Sequence, residues 1–232
     1  MPKISEIFSF PALSREEWDV ICDFDGTITP FDVTDAVLEN FASPEWEDVE
    51  QSWMAGELTA RQCMEKQICL LDVPVRRLDD FLDAIPLTEG FREFADFCRA
   101  TRLNLLVISD GMDYVIRRVL TRHQLADLPV VANRLCVRGE GHYSLKFPHG
   151  ANGCPSGVCK CKVAGSGGKK ILLIGDGHSD CCLAGRAAFT LAKQGLALQR
   201  HCEDRHYPYL PYVDFFDIVP RFEPLTAYKQ GK

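Results

Sequence analysis

Two rhythms alternate along the chain. Compact apolar runs that end at a glycine are separated by stretches in which apolar residues recur every three or four positions. DVICDFDG (19–26) is the first run and predicts a buried strand ended by Gly26. Residues 31–85 then keep the longer rhythm: Phe31, Val33, Val37, Leu38 and Phe41 lie near a 3.6 period. Ser43-Pro44 opens a second helix, Thr59 a third and Pro74 a fourth. Thr88-Glu89-Gly90 precedes the helix FREFADFCRATR, and LNLLVISDG (103–111) is the second strand. MDYVIRRVLTRHQL predicts a helix and LPVVANRLCVRG a third strand. Residues 139–168, rich in Gly, Cys, Pro and Lys, read as loop and turn. KKILLIGDG (169–177) is a further strand, followed by a helix from about Ser179 and the strand FTLAK. The tail LPYVDFFDIVPRFEPL is apolar enough to pack on the body, and the chain has no internal repeat.

Strands alternating with helices predict a parallel α/β sheet. Three of its runs, DFDG, ISDG and IGDG, end in acid. The carboxyl ends of parallel strands form the ligand crevice of such sheets, so the three tips converge if the strands are neighbours. Asp23 and Asp25 would share one face of a regular strand and repel each other. That arrangement makes sense where something cationic or reactive sits above the strands. Asp176 and Asp180 of GDGHSD add two more carboxylates. An all-oxygen set suits a hard octahedral ion such as Mg²⁺ and suits Zn²⁺ less well. Mg²⁺ commonly accompanies phosphate, and Ser109 with the backbone N–H groups of Asp110 and Gly111, read as opening a helix, provides an anion site. The set still lacks a fixed cation to balance phosphoryl charge.

Composition narrows the classes. The chain has 232 residues, 46% hydrophobic and 25% charged, enough for a sizeable core and unlike a disordered segment. Its net charge of −7 counts against a protein that tracks nucleic-acid phosphates. No apolar run approaches the roughly 18 residues of a membrane span. MPKISEIFSFPALSREEWDV lacks a basic start followed by an apolar region, so a cytoplasmic location is expected, with no nucleic-acid or membrane partner. Eleven cysteines in a reducing compartment are expected to be buried thiols or metal ligands. Cys22, Cys63, Cys69, Cys98, Cys181 and Cys182 fall in apolar contexts and read as core. Cys154, Cys159 and Cys161, with Cys136 or His149, are candidates for a structural zinc site. Their C-x₄-C-x-C spacing is not a standard ribbon pair, and thiols that stiffen a loop are the favoured reading.

DFDGT, ISDG, a lysine and GDGHSD, in that order over 23–180, resemble the four motifs of the haloacid dehalogenase superfamily of phosphatases. The helical insert directly after DFDGT resembles the small cap of its phosphoserine-phosphatase-like branch. ICDFDGTIT, FASPEW, EGFREF, VISDGMDY and LPYVDFFDI are similar to segments of the 2-hydroxy-3-keto-5-methylthiopentenyl-1-phosphate phosphatases of methionine salvage. CPSGVCK is similar to a segment of phosphocholine and phosphoethanolamine phosphatases.

The resemblance implies a Rossmann-like, mostly parallel α/β core (1–30 and 86–232) with a helical cap (31–85) inserted after the first strand. It implies Mg²⁺-dependent hydrolysis of a small phosphorylated metabolite by a monomer or homodimer. Asp23 would be the nucleophile and form an aspartyl-phosphate, and Asp25 would be the general acid and base. Mg²⁺ would sit between Asp23, the backbone carbonyl of Asp25 and Asp176, with Asp180 behind. Ser109, Asp110, Gly111 and Lys160 would bind the phosphoryl oxygens. Lys160 is favoured over Lys162, Lys169 and Lys170 because Val163 follows at helical spacing. Phosphoserine, phosphocholine and phosphoethanolamine are alternative substrates, and a phosphotransferase or a catalytically silent phosphoryl-binding module is an alternative function. Asp32 and Glu39 stand where the insert could overlook the site; as acids they would favour an amine on the substrate, and a solvated helix face explains them equally well. Trp46, Trp53 and Met54 read as cap core, and His178 as a turn residue.

Overall fold

The computed structural model describes residues 13–165 and 167–222. The N-terminal stretch bearing on a leader, and 223–225 of the apolar tail, lie outside the described residues. Seven strands form one sheet: β1 (Trp18–Cys22), β2 (Asn104–Met112), β3 (Val130–Val137), β4 (Tyr143–Lys146), β5 (Lys170–Gly175), β6 (Phe189–Lys193) and β7 (Tyr209–Tyr212). Their order is β4-β3-β2-β1-β5-β6-β7, and every pairing is parallel except the β3–β4 hairpin. The mostly parallel α/β sheet expected from the sequence is therefore present.

Strand β1 is central, with Val20 in register with Leu105 on one side and Leu172 on the other. Its side chains alternate between two cores. Val20 and Cys22 join the larger core with α5 (Phe91–Thr101) and α6 (Asp113–Arg122). Ile21 joins the smaller core with α8 (Cys181–Ala184) and α9 (Ala197–Arg205). Strand β5 repeats the division, Leu172 and Ile174 to one side and Ile171 and Leu173 to the other. Burial on both faces explains why these strands read as unbroken apolar runs. Truncating Leu172 or Leu173 to Ala would cost about 2–5 kcal/mol.

Four helices stand between β1 and α5: α1 (Val33–Phe41), α2 (Trp46–Met54), α3 (Ala60–Ile68) and α4 (Val75–Leu82). Asp32 caps α1 by accepting the Asp35 N–H, and Thr59 and Gln62 close a reciprocal cap on α3. Val33, Val37, Leu38, Ile68, Leu78 and Leu82 are continuous with the larger core. Arg118 of α6 forks onto Asp83 at 2.6 and 2.7 Å, tying the end of α4 to the sheet.

The expected elements differ from the observed ones at instructive places. β1 ends at Cys22, so Asp23 and Asp25 leave the strand and never share a strand face. The 139–168 region holds β4 as well as the short helix α7 (Lys160–Ala164). Tyr143 and Leu145 alternate inward, but four residues next to a glycine-rich turn carry little periodic signal. β7 carries Pro211 in register with Ala192, a position tolerated because β7 is an edge strand. After it, Phe215, Ile218 and Phe222 of the tail are buried as anticipated. Among the described residues no helix is long and apolar enough to cross a membrane.

Candidate active site

The site is built at the carboxyl ends of β1, β2 and β5. The Asp23 N–H still donates to the Ile174 carbonyl at 2.9 Å, so the backbone is held to β5 to the last residue before the turn. The chain then folds into a tight turn over Phe24–Ile28, closed by the Thr29 N–H on the Phe24 carbonyl at 3.1 Å. Gly26 takes φ +67°, and a Cβ there would stand 2.5 Å from an Asp176 carboxylate oxygen. Both the left-handed backbone and the close approach demand glycine. Thr27 then donates its hydroxyl to Asp176 at 2.6 Å, joining the β1 and β5 tips.

Asp23 is buried and uses both carboxylate oxygens. Oδ1 accepts the Phe24 N–H at 2.8 Å, and Oδ2 meets Lys160 Nζ at 2.7 Å and the Ser179 hydroxyl at 3.3 Å. Lys160, the first residue of α7, is fully buried and also reaches Asp180 Oδ1 at 2.7 Å. Burial pushes its ammonium down, but Asp180 and Asp23 outweigh that and hold it above the usual lysine range. Asp180 is equally buried, and its other oxygen accepts the N–H groups of Asp176 and Gly177, each at 3.2 Å. Burial, then Asp23, pushes Asp180 up to about 7 and Asp176 up to about 6.

Asp25 differs from Asp23. Its Oδ1 accepts the Val33 N–H at 2.9 Å at the start of α1. Its Oδ2 packs over Gly111, where a Cβ would come within 2.5 Å of it and 3.1 Å of the Ser109 hydroxyl. Loss of water, then the carboxylates of Asp32 and Asp23, pushes Asp25 well above the ordinary carboxylate range. Two aspartates two residues apart thus occupy different environments, one facing an ammonium and one whose burial favours its protonated form.

Ser109 is buried beside this pair, and its hydroxyl accepts the Gly111 N–H at 2.9 Å. The expectation that Ser109, Asp110 and Gly111 open a helix is corrected. β2 runs on to Met112 past a register shift against β3, and α6 begins at Asp113. The Asp110 side chain accepts the Val158 N–H at 2.8 Å and the Asn133 amide at 3.1 Å, so it anchors the loop that leads to Lys160. Lys162 is exposed, Lys169 bonds Asp19 at 3.2 Å and Lys170 is exposed beside Glu17, so of the four candidate lysines Lys160 is the one brought to the acids.

Above these groups lies a cavity of about 620 Å³, walled in part by the helices α1–α3. Asp32, Asp35, Glu50, Trp53, Met64 and Gln67 line its upper wall, while Glu39 does not. The cap-core reading of Trp53 and Met54 is therefore corrected: Trp53 faces the cavity and Met54 is exposed, because both lie at the open end of α2. Trp46 packs on the core as expected. His178 stands exposed at the first position of the turn before α8 and lines the cavity rim. Of the cysteines read as core, Cys22, Cys63 and Cys98 are buried and Cys181 is half-buried, but Cys69, the C-cap of α3, and Cys182 are exposed.

Several participants left no usable trace in the sequence. Arg61 of α3 donates to the carbonyls of Ser156 (3.0 Å) and Cys154 (3.4 Å), and its own N–H bonds the Pro155 carbonyl at 2.9 Å. The helical insert is thereby fastened to the loop before Lys160. Lys193 of β6 donates to the Gly26 carbonyl at 2.6 Å. Thr27 could have been found, since it completes the DFDGT motif. Arg61 and Lys193 could not, because each acts on backbone far away in the chain.

Asp23, Asp176 and Asp180 each offer a ligand atom, and the three lie within 4.8 Å of one another. An oxygen-only donor set of this kind fits Mg²⁺. Asp180 already serves Lys160 and two backbone N–H groups, so it stands behind Asp23 and Asp176.

A model of the family described as Putative Phosphatase matches residues 19–209, which includes all four motifs. The chain belongs to this family. It is a phosphomonoester hydrolase, and its haloacid dehalogenase resemblance holds. Among curated relatives, a 2-hydroxy-3-keto-5-methylthiopentenyl-1-phosphate phosphatase of Geobacillus thermodenitrificans is 30% identical, covering 92% of this chain and 99% of the relative. One from an Exiguobacterium species is 32% identical, covering 91% and 97%. Among solved structures, a substrate-bound phosphoserine phosphatase superposes with a TM-score of 0.67 at 19% identity, covering 90% of this chain and 99% of that one. A haloacid dehalogenase family hydrolase of Salmonella enterica serovar Typhi gives 0.69 at 18% identity, covering 88% and 70%. The two solved structures share the fold.

Proposed function

We propose that this phosphatase acts on 2-hydroxy-3-keto-5-methylthiopentenyl-1-phosphate through an aspartyl-phosphate on Asp23, with Mg²⁺ as cofactor. The observation that carries the mechanism is the split between Asp23 and Asp25. A carboxylate oxygen of Asp23 attacks phosphorus, and the bond from phosphorus to the leaving oxygen breaks. Asp25, whose burial favours the protonated form, gives its proton to that oxygen. Water then attacks phosphorus, the bond from phosphorus to the Asp23 oxygen breaks, Asp25 takes a proton from the water, and inorganic phosphate leaves. Lys160 and Ser109 bind the transferring oxygens, and Lys160 is placed for this by Asp180. Asp23, Asp176 and the backbone carbonyl of Asp25 would hold Mg²⁺, with Asp180 keeping their positions from behind. When bound, Mg²⁺ supplies charge neutralisation of the phosphoryl group.

The substrate reading is supported by the relatives' names at 30–32% identity over almost their whole length. A cavity of about 620 Å³ is in the range that holds one small metabolite. We take residues 31–85 as the cap that selects it. One observation favours a second reading: Asp32, Asp35 and Glu50 on the cavity wall would attract an amine, as in phosphoserine, phosphocholine or phosphoethanolamine. A panel of small phosphomonoesters assayed with Mg²⁺ separates the two. The enol phosphate is expected to give the highest kcat/KM. A higher value for an amine-bearing ester would replace the first substrate with the second.

A further inference from the structure

The loop that carries Lys160 is folded around a side chain from the helical insert. Between β4 and α7 the chain doubles back on itself. The Gly150 N–H donates to the Phe147 carbonyl at 3.3 Å, Cys154 to Ala151 at 3.2 Å and Cys159 to His149 at 3.0 Å. The carbonyls of Ala151, Cys154 and Ser156 all accept from one donor, Nη2 of the half-buried Arg61 of α3, at 3.5, 3.4 and 3.0 Å. Arg61 Nε also reaches Ser156 at 3.3 Å, and its Cζ lies 5.8 Å from the centroid of the Phe147 ring. The Arg61 backbone N–H adds the Pro155 carbonyl at 2.9 Å. A Cβ on Gly150 would come within 2.6 Å of Nη2, so glycine at that position leaves room for the guanidinium. The sheet holds the same loop from the other side. Asp110 accepts the Val158 N–H at 2.8 Å and is itself held by the Asn133 amide at 3.1 Å. Lys160 stands two residues beyond Val158, with Asp23 and Asp180 each at 2.7 Å.

We propose that Arg61 is a positioning residue for Lys160, an inference that rests on the phosphoryl-binding role given to that lysine above. The segment from Ser156 to Lys160 is fixed by Arg61 at its start and by Asp110 in its middle, which leaves the ammonium one place between the two carboxylates. Without the guanidinium, three carbonyls exchange a shared protein donor for water, and the loop gains freedom just ahead of the lysine. A lysine at position 61 would keep the charge, but one ammonium does not reproduce a planar fork spread over three carbonyls. Arg61 does not line the cavity, so it acts through the loop and not on the substrate. Its neighbours on either side of the clasp do line it: Thr59, Ala60, Met64 and Gln67 from the insert, Pro155 and Ser156 from the loop. A shift of α3 is therefore passed to the loop that presents the lysine.

The test is a double-mutant cycle in kcat on the whole chain, with Mg²⁺ and p-nitrophenyl phosphate. Arg61→Ala should lower kcat roughly 10- to 100-fold, the scale of losing a group that orients a catalytic one, and leave KM within about 3-fold. In Lys160→Ala the same change should cost less than about 3-fold, because the group it places is gone. Arg61→Lys should fall with Arg61→Ala, and it takes that variant's place in the cycle if Arg61→Ala does not fold. A merely structural role would cost the same factor in both backgrounds, and that result would overturn the proposal. So would wild-type kcat in Arg61→Ala, or a higher KM at unchanged kcat, which would make Arg61 a determinant of substrate fit. Wild-type kcat in Lys160→Ala would overturn the lysine's role and this proposal with it. A large loss in Lys160→Ala together with equal Arg61 costs would overturn this proposal alone.

Discussion

On the floor of the cavity Asp23 and Asp180 share the Lys160 ammonium at 2.7 Å each, and Asp176 takes the Thr27 hydroxyl at 2.6 Å. These groups hang from strand tips and are locked by backbone. On the wall, Asp32 gives one oxygen to the cap of α1, and Glu50 accepts the Gln67 amide at 2.9 Å and the Cys63 thiol at 3.6 Å. Loss of water, then Asp32 and Glu50, pushes Asp35 up to about 7 although solvent still reaches it. The floor is a closed network in which each side chain fixes another, so a change there propagates. The wall is a set of helix side chains that can be exchanged while the floor stays intact. On the function proposed above, reaction type belongs to the first region and substrate choice to the second.

The floor should break hardest at Asp23. Asp23→Asn removes the nucleophile, and turnover should fall by up to about 10⁶-fold, the scale seen when a nucleophile is deleted. Acid-quenched mass spectrometry of the wild type should find the phosphoryl group on Asp23. A phosphoryl group trapped on another residue, or near-normal turnover in Asp23→Asn, would show that the floor works differently. Asp25→Asn should still form phosphoenzyme from an ester with a good leaving group and then stall.

Next comes the lysine. Lys160→Ala should lower kcat about 10²–10³-fold, the scale of losing one fixed charge contact at a transition state. It should also destabilise the fold, because Asp23 and Asp180 are left facing each other without a cation. Lys162→Ala and Lys170→Ala should stay within about 0.5 kcal/mol of wild type, as surface changes do. Steady-state kinetics with thermal melts separates the cases. A rate collapse confined to Lys170→Ala would move the charge role away from α7.

The same contrast explains how much the sequence revealed. The tips DFDG, ISDG and IGDG could be read because parallel α/β sheets gather strand ends in one place. Lys160 could be read through the resemblance of its segment, with Val163 three positions on, to the short helix where the family places its lysine. Asn133 holding Asp110 and Arg61 gripping the Pro155 loop could not be derived from periodicity. Their roles come from tertiary proximity, which local pattern does not encode. Strands β4 and β7 escaped for another reason: both are short edge strands, one beside glycines and the other containing Pro211.

The wall should yield a smaller and more selective effect. Glu50→Gln and Asp35→Asn are expected to leave kcat for the enol phosphate unchanged and to shift its KM by less than about 3-fold, since that substrate offers no cation to a single exposed carboxylate. With phosphoethanolamine, the same variants should raise KM further if the wall reads an amine. A tenfold rise confined to amine-bearing esters would transfer the substrate assignment to that class. A fall in kcat with every ester would mean that the wall is coupled to the floor, and the division drawn above would fail.

The smallest effect is thermodynamic and tests whether the floor is a cation site. Asp176, at about 6, and Asp180, at about 7, are both raised from 3.8, first by burial and then by Asp23. A raised carboxyl binds more protons folded than unfolded between those limits, so metal-free stability should fall as pH rises from about 4 to about 7. Below that window both states hold the protons, and above it neither does, so the slope vanishes on each side. Mg²⁺ favours the ionised carboxylates and should return the lost stability at neutral pH. At 100 times its Kd a ligand adds about 2.7 kcal/mol, and about 2–4 °C per kcal/mol for a chain of this size makes the rise several degrees. At pH 5 protons on Asp176 compete with the ion, and the rise should shrink. Melts with and without Mg²⁺ at pH 5 and pH 7.5 measure both. An equal gain at the two values would mean that Mg²⁺ stabilises the protein somewhere other than these carboxylates.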